Sequence, residues 1–218
     1  MNRSIYVMNI KQKSNSEAYM GRRASKPIYS GVKRIFDIVF SFILLAFLLL
    51  PLLVIALAVK LDSAGPVFYK QERLGPFGKP FVLLKFRTMV PDAERDGPVW
   101  AEREDPRRTG VGVFLRRFHL DELPQLWNIF VGDMSFVGPR PERPVFYREF
   151  GKIVKGFEKR LLVRPGLTGL AQINGGYDLT PAEKWLYDMK YIHDRSVLLD
   201  IQCLIRTVPV ILTARGAR

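Results

Sequence analysis

The sequence predicts an α+β protein, mostly helical, in which a re-entrant membrane helix-hairpin precedes a small cytosolic domain with amphipathic interfacial helices. Three observations carry that prediction. Ile38–Val59 runs 22 residues without a charge and contains Pro51; apolar runs beyond roughly 18 residues signal a membrane segment. Basic residues flank the run on both sides. Beyond it, turn-rich extended segments give way to helical periodicity, with no internal repeat, low-complexity stretch or second-domain boundary. The chain thus divides into a basic tail at 1–32, a membrane segment at 33–60 and one folded domain at 61–218.

The tail comes first. The 218 residues hold 34 Lys+Arg against 21 Asp+Glu, a net charge of +13. Residues 1–34 carry +7 of it, opposed only by Glu17. Such a segment reads either as a solvated, disordered tail or as a contact with anionic lipid. A pI near 10 points to an anionic partner: nucleic acid, a membrane surface or a phosphorylated substrate. A single cysteine excludes a disulfide framework and a multi-cysteine zinc site, and two distant histidines, His119 and His193, argue against a histidine-rich metal centre.

The apolar run starts too late for a signal peptide and lacks a cleavage site. As one straight helix it would be about 33 Å long, enough to cross the bilayer. Pro51 removes a helix hydrogen bond and clashes with the preceding turn, and Ile38–Leu50 alone reaches only about 20 Å. A sharp bend there makes a hairpin that dips in and returns. Lys60, Lys70 and Arg73 beyond the run, like the basic tail before it, favour the cytoplasmic side. The other reading of a proline in such a run is a kinked helix that spans.

Asp62–Gly110 is rich in turn signals, among them Ala64-Gly65-Pro66, Gly75-Pro76, Gly78-Lys79-Pro80 and Asp96-Gly97-Pro98. Between them Val67–Gln71 and Pro80–Met89 read as short strands or extended segments. Val113–Phe130 has an apolar helical face that Pro124 should interrupt, and Pro144–Val163 reads as one basic amphipathic helix. Thr180–Asp194 is a helix begun by Thr180-Pro181 with Glu183 as cap partner. Leu198–Thr213 is a last apolar helix.

No Walker loop, dinucleotide fingerprint or nucleophile elbow is present. What remains is carboxylates and arginines beside glycines and prolines. Asp121-Glu122 follows Arg116 and Arg117 by about one turn. On a helix adjacent carboxylates diverge by about 100°, so they cannot share one proton but can divide the roles of nucleophile and base or support. Alone, such a pattern is ordinarily a surface ion-pair helix. Gly132-Asp133-Met134-Ser135-Phe136-Val137-Gly138-Pro139-Arg140-Pro141 changes the weighing, because the flanking prolines pre-order the Arg140 guanidinium for an anionic oxygen. Arg164-Pro165-Gly166-Leu167-Thr168-Gly169 repeats the design with a glycine-rich turn that exposes amides, and Lys85-Phe86-Arg87-Thr88-Met89 adds a third basic cluster. Three clusters suggest several phosphates gathered in one place.

Over Lys33–Thr213 these residues resemble the bacterial monotopic phosphoglycosyl transferases, the polyprenol-phosphate sugar-phosphate transferases. The resemblance rests on KRIFD (Lys33–Asp37), QERLG (Gln71–Gly75), KFRTM (Lys85–Met89), LDELPQLWN (Leu120–Asn128), GDMSFVGPRP (Gly132–Pro141) and VRPGLTGLAQING (Val163–Gly175). It implies a re-entrant helix bent at Pro51, where Leu50 replaces the serine of many relatives, and a catalytic domain over 61–218. It implies that Asp121 attacks the β-phosphate of a UDP-sugar, UMP leaves, and polyprenol (undecaprenyl) phosphate takes the phosphosugar from the aspartate, with Glu122 as the second dyad member. It implies Mg²⁺ held partly by Asp121. Substrate and phosphate contacts are expected at Lys85, Arg87, Arg116, Asp133, Pro139, Arg140, Pro141, Arg164, Thr168 and Asp188. The implied setting is the cytoplasmic face of the bacterial inner membrane, in contact with membrane lipid, at the first membrane step of surface polysaccharide or glycoprotein glycan synthesis. No nucleic acid is expected. A homo-oligomer stays open. Asn174–Thr180 looks like relatives acting on glucose or galactose; many of those carry a large N-terminal membrane region, where only the basic tail is expected here. The other readings are a direct single-displacement transferase and a membrane-anchored binding protein without activity.

Overall fold

The computed structural model describes residues 26–95 and 105–213, so the first 25 residues of the basic tail and the Asp96-Gly97-Pro98 turn lie outside the described residues. Helix α1 (Pro27–Phe47) opens on Pro27 and runs unbroken into the apolar segment. It begins earlier than the boundary at 33 because its first turns are held by the end of the chain. Lys26 Nζ donates to the Arg195 carbonyl at 2.8 Å, the Tyr29 hydroxyl donates to Asp200 at 2.8 Å, and Lys33 pairs with the same carboxylate at 2.8 Å. Farther along, Arg34 donates to the carbonyls of Ile129 and Phe130, both at 2.7 Å. Asp37 accepts from Ser135 Oγ at 3.0 Å and from the Phe136 amide at 3.1 Å.

Helix α2 (Leu49–Asp62) follows at a bend of 64°. The break falls at Leu48, ahead of Pro51. The ring of a helical proline crowds the carbonyl four residues back, here that of Phe47, the last residue of α1. Pro51 itself sits in the first turn of α2, where its missing N–H costs no bond. Among the described residues no single helix is long and apolar enough to cross a membrane; the bent pair passes by length and composition. Phe47 is 80 % exposed and Leu50 71 %, so the apex of the bend is apolar and uncovered.

Strands β1 (Phe68–Leu74) and β2 (Pro80–Phe86) form an antiparallel hairpin with Tyr69 opposite Lys85. The expected helix over Val113–Phe130 is three pieces: α3 (Gly110–Arg117), a 3-10 turn at Leu120–Glu122, and α4 (Gln125–Val131). His119, at φ 56°, breaks it before Pro124 does. Strand β3 (Ser135–Val137) pairs in parallel with β4 (Gly166–Thr168). Pro144–Val163 is likewise divided. Helix α5 (Pro144–Ile153) stops before Gly156, which takes φ 85°, and Phe157–Leu162 is a separate 3-10 turn. The short α6 (Leu170–Ile173) precedes α7 (Pro181–Asp194), whose capping box joins Thr180 and Glu183 as expected. Helix α8 (Val197–Leu212) closes the described chain.

The main core gathers Leu126, Ile129, Met134, Phe136 and Tyr191, and Leu44, Leu45 and Leu48 of the apolar run pack against it. A smaller cluster of Val59, Phe86 and Leu115 joins the end of α2 to β2 and α3. Both limbs of the bent pair are therefore rooted in the same small domain.

Candidate active site

The left-handed turn at His119 reverses the chain after α3 and starts the 3-10 turn that carries Asp121 and Glu122. A residue other than glycine holds that conformation only where its surroundings over-determine it, as at functional sites. Both carboxylates are buried, at 5 % and 7 % exposure. They meet different neighbours. Glu122 accepts from Lys85 Nζ at 2.7 Å and forms a two-point pair with Arg140, whose Nη1 lies 3.2 Å from Oε2. Asp121 has Lys85 as its nearest cation, at 3.7 Å. Burial raises the Asp121 carboxyl above its ordinary range, and the Glu122 charge adds to the rise. Burial acts on Glu122 too, but Arg140 and Lys85 outweigh it and hold Glu122 well below the usual carboxylate range. The dyad thus splits into a committed carboxylate and one facing a cleft of about 280 Å³.

Both basic clusters beside the dyad come from predicted motifs. Lys85 projects from β2, Arg87 continues the same face, and Arg116 from the last turn of α3 reaches Thr88 Oγ1 at 3.5 Å. These three, with Asp121 and Arg140, line the cleft. Arg140 is also stacked over the Tyr177 ring at 5.5 Å. That guanidinium, more than the burial that opposes it, lowers the Tyr177 hydroxyl to about 8.

Other expected site residues lie apart. Arg164 donates to the Gly132 carbonyl at 3.0 Å, and the Thr168 hydroxyl shares a 2.6 Å bond with Thr207. The Gly166 amide is taken by the Pro139 carbonyl at 2.9 Å, because β3 and β4 approach so closely that a Cβ on Gly166 would meet the Gly138 amide nitrogen at 2.0 Å. Asp133 accepts from Asn128 at 3.3 Å, and the Pro141 carbonyl accepts from Arg73 at 2.9 Å. Asp188 pairs with Arg160 at 2.6 Å in the interior, each side chain 1 % exposed, and Arg160 Nη2 donates to the Arg140 carbonyl at 3.0 Å. Asp188 therefore reaches the cleft only through Arg160 and the backbone of the arginine between Pro139 and Pro141.

Sequence reasoning used Arg73 as a basic flank and Gln71 within the QERLG block but assigned neither to the site, and did not single out Tyr69, Arg143 or Tyr177, all of which line the same cleft. The signal for the first three was available: 69, 71 and 73 share one face of β1. Among the described residues no three of His, Cys, Asp and Glu gather as a metal site. Mg²⁺ commonly binds through one or two carboxylates completed by substrate phosphates, and a cleft-facing Asp121 beside a committed Glu122 fits that donor set.

Comparison with known proteins identifies the family. The bacterial sugar transferase family pattern matches residues 28–214. The chain is 37 % identical, over 93 % of its own length and 48 % of the relative's, to the UDP-N-acetylgalactosamine-undecaprenyl-phosphate N-acetylgalactosaminephosphotransferase of Aeromonas hydrophila. It is 43 % identical to the UDP-glucose:undecaprenyl-phosphate glucose-1-phosphate transferase of Klebsiella pneumoniae, over 81 % of the chain and 39 % of that protein. The Caulobacter vibrioides protein of the same name is 41 % identical, over 85 % of the chain and 71 % of its own length. The chain thus spans about half or less of the first two of these relatives. With the family pattern covering the dyad, both basic clusters and the bent helix pair, the chain belongs to the bacterial sugar transferase family.

Proposed function

We propose that the cleft transfers a hexose-1-phosphate from a UDP-sugar to polyprenol (undecaprenyl) phosphate, releasing UMP and forming polyprenol diphosphate sugar, in two displacements. A carboxylate oxygen of Asp121 attacks the β-phosphorus; the bond to UMP breaks, and UMP leaves with the electron pair. An oxygen of the acceptor phosphate then attacks the phosphosugar-aspartate and expels the Asp121 carboxylate. The observation that carries this reading is the unequal dyad. Glu122 is consumed by Lys85 and Arg140, while Asp121 faces the cleft. Glu122 holds the two cations in place, and they neutralise charge developing on the phosphoryl oxygens. Mg²⁺, held partly by Asp121, would supply further neutralisation of the diphosphate.

The attachment of the bent pair supports a setting at one membrane face. Both its ends are bonded to one small domain, through Lys33 and Arg34 at the start and Asp62 at the end, where Oδ2 accepts from the Val111 amide at 3.1 Å. That supports a pair that enters and leaves the cytoplasmic leaflet. On α8, Leu198, Ile201, Ile205, Val208 and Leu212 are exposed at helical spacing, which supports an interfacial helix beside it.

The test is UMP release by the purified full chain in detergent with Mg²⁺, using UDP-glucose, UDP-galactose and UDP-N-acetylgalactosamine in turn. One of these sugars is expected to give UMP and an intact-mass increase of one phosphosugar, and Asp121→Asn to abolish both. Wild-type release rates in Asp121→Asn would sink the assigned nucleophile. UMP release only when acceptor is present, with no adduct, would indicate direct displacement.

A further inference from the structure

We propose that Arg87 binds the phosphate monoester of the membrane-borne acceptor, so that one guanidinium grips both that anion and the end of the membrane helix. The inference rests on the transfer reaction proposed above and gives its second substrate a place in the cleft.

Arg87 is 5 % exposed and lines the cleft. Its Nη2 is spent on the membrane element: it donates to the Val59 carbonyl at 3.2 Å, to the Ser63 carbonyl at 2.6 Å and to the Ser63 hydroxyl at 3.0 Å. Nε and Nη1 are also buried, and among the described residues neither has a hydrogen-bond partner. Four other arginines around the cleft have carboxylates: Arg140 has Glu122, Arg73 has Glu142, Arg107 has Asp105 and Arg143 has Glu94. Arg87 has no such carboxylate among the described residues. A buried guanidinium with unused donors is costly until an anion completes it. Phosphate oxygens do so with charge-assisted bonds. The residue facing Nη1 is Gly65, where a Cβ would lie 2.3 Å from that nitrogen.

Position separates the acceptor from the donor. Lys85, which touches both carboxylates of the dyad, stands two residues back on the same strand face, about 7 Å away at strand spacing. Arg87 stands on the side where β2 meets the end of α2. A soluble nucleotide has no need of a cation tied to the membrane helix. A phosphate carried on a lipid arrives at the height where that helix leaves the membrane.

The test uses the full chain in detergent with farnesyl phosphate as a short acceptor. Arg87→Gln is expected to raise the KM for farnesyl phosphate by about tenfold or more, the loss of a charge-assisted hydrogen bond, and the KM for UDP-sugar by far less. Arg87→Lys, which keeps the charge on a different reach, is expected to fall between and carries the same comparison if the glutamine variant does not fold. In a thermal-shift arm without turnover, farnesyl phosphate should stabilise wild type but not Arg87→Gln, whereas UMP should stabilise both. Equal rises in the two KM values, or a farnesyl phosphate shift that survives in Arg87→Gln, would overturn the assignment. An Arg87-dependent shift of the same size with phosphatidylglycerol would overturn it in favour of a lipid headgroup site. Failure of the wild type to release UMP from any UDP-sugar would instead count against the transfer reaction itself.

Discussion

Tyr177 shows how far one side chain can carry the electrostatics of this cleft. Its ring lies against the Arg140 guanidinium, and Arg140 lowers its hydroxyl from 10.0 to about 8. Below that pH the phenol is neutral; above it a phenolate faces the cleft into which the proposed reaction brings a diphosphate. The expected outcome is a KM for UDP-sugar that rises between pH 7 and pH 9, and a Tyr177→Phe variant in which this rise is lost. Steady-state kinetics at the two pH values check it. Asp121, Glu122, Lys85 and Arg140 were all legible as candidates, the cations from basic clusters beside prolines and glycines and the dyad from the family resemblance of its motif. Their division of labour was not. Which carboxylate is committed depends on Lys85 arriving from β2, a contact between residues far apart in sequence. Arg164 and Thr168 show the converse: a motif that reads as an anion site locally is spent on Gly132 and Thr207.

Helix α3 must lie directly on the segment that follows β2. Gly112 makes this possible: a Cβ there would stand 2.2 Å from the Thr88 carbonyl oxygen. Because the obstacle is backbone, it cannot rotate away. Gly112→Ala is expected to destabilise the protein by about 1–3 kcal/mol, the range for overpacking, and to displace Arg116 from the cleft. Chemical unfolding in detergent, together with UMP release, checks both effects. Apolar character located α8 and the stretch that holds α3, while the Thr180–Glu183 capping signals located α7 and fixed its start closely. Periodicity could not divide Val113–Phe130 or Pro144–Val163, since the breaks come from backbone conformation at His119 and Gly156 and leave the apolar spacing intact. The bend ahead of Pro51 obeys the same distinction. Its existence follows from the ring, and its position from the carbonyl that the ring displaces.

The tethers at both ends of the bent pair also bear on the molecule's relation to the bilayer as a whole. A spanning helix must match its apolar length to the hydrocarbon thickness, and mismatch tilts it or sorts it among membranes. On the proposed re-entrant topology, a pair rooted twice in one domain, with a 64° bend between limbs of which Ile38–Phe47 is only about 15 Å long, has no distal end to register against the opposite leaflet. Its depth is set by the domain, and the far half of the bilayer is mechanically silent to it. Turnover in nanodiscs built from lipids of 14 to 22 acyl carbons should therefore stay within about twofold at fixed headgroup composition, whereas a hydrophobically matched span would show an optimum (fractions of a kcal/mol per Å of mismatch). With the proposed activity and topology, such a protein would be gauged to one leaflet and would work unchanged in membranes whose thickness varies with growth conditions.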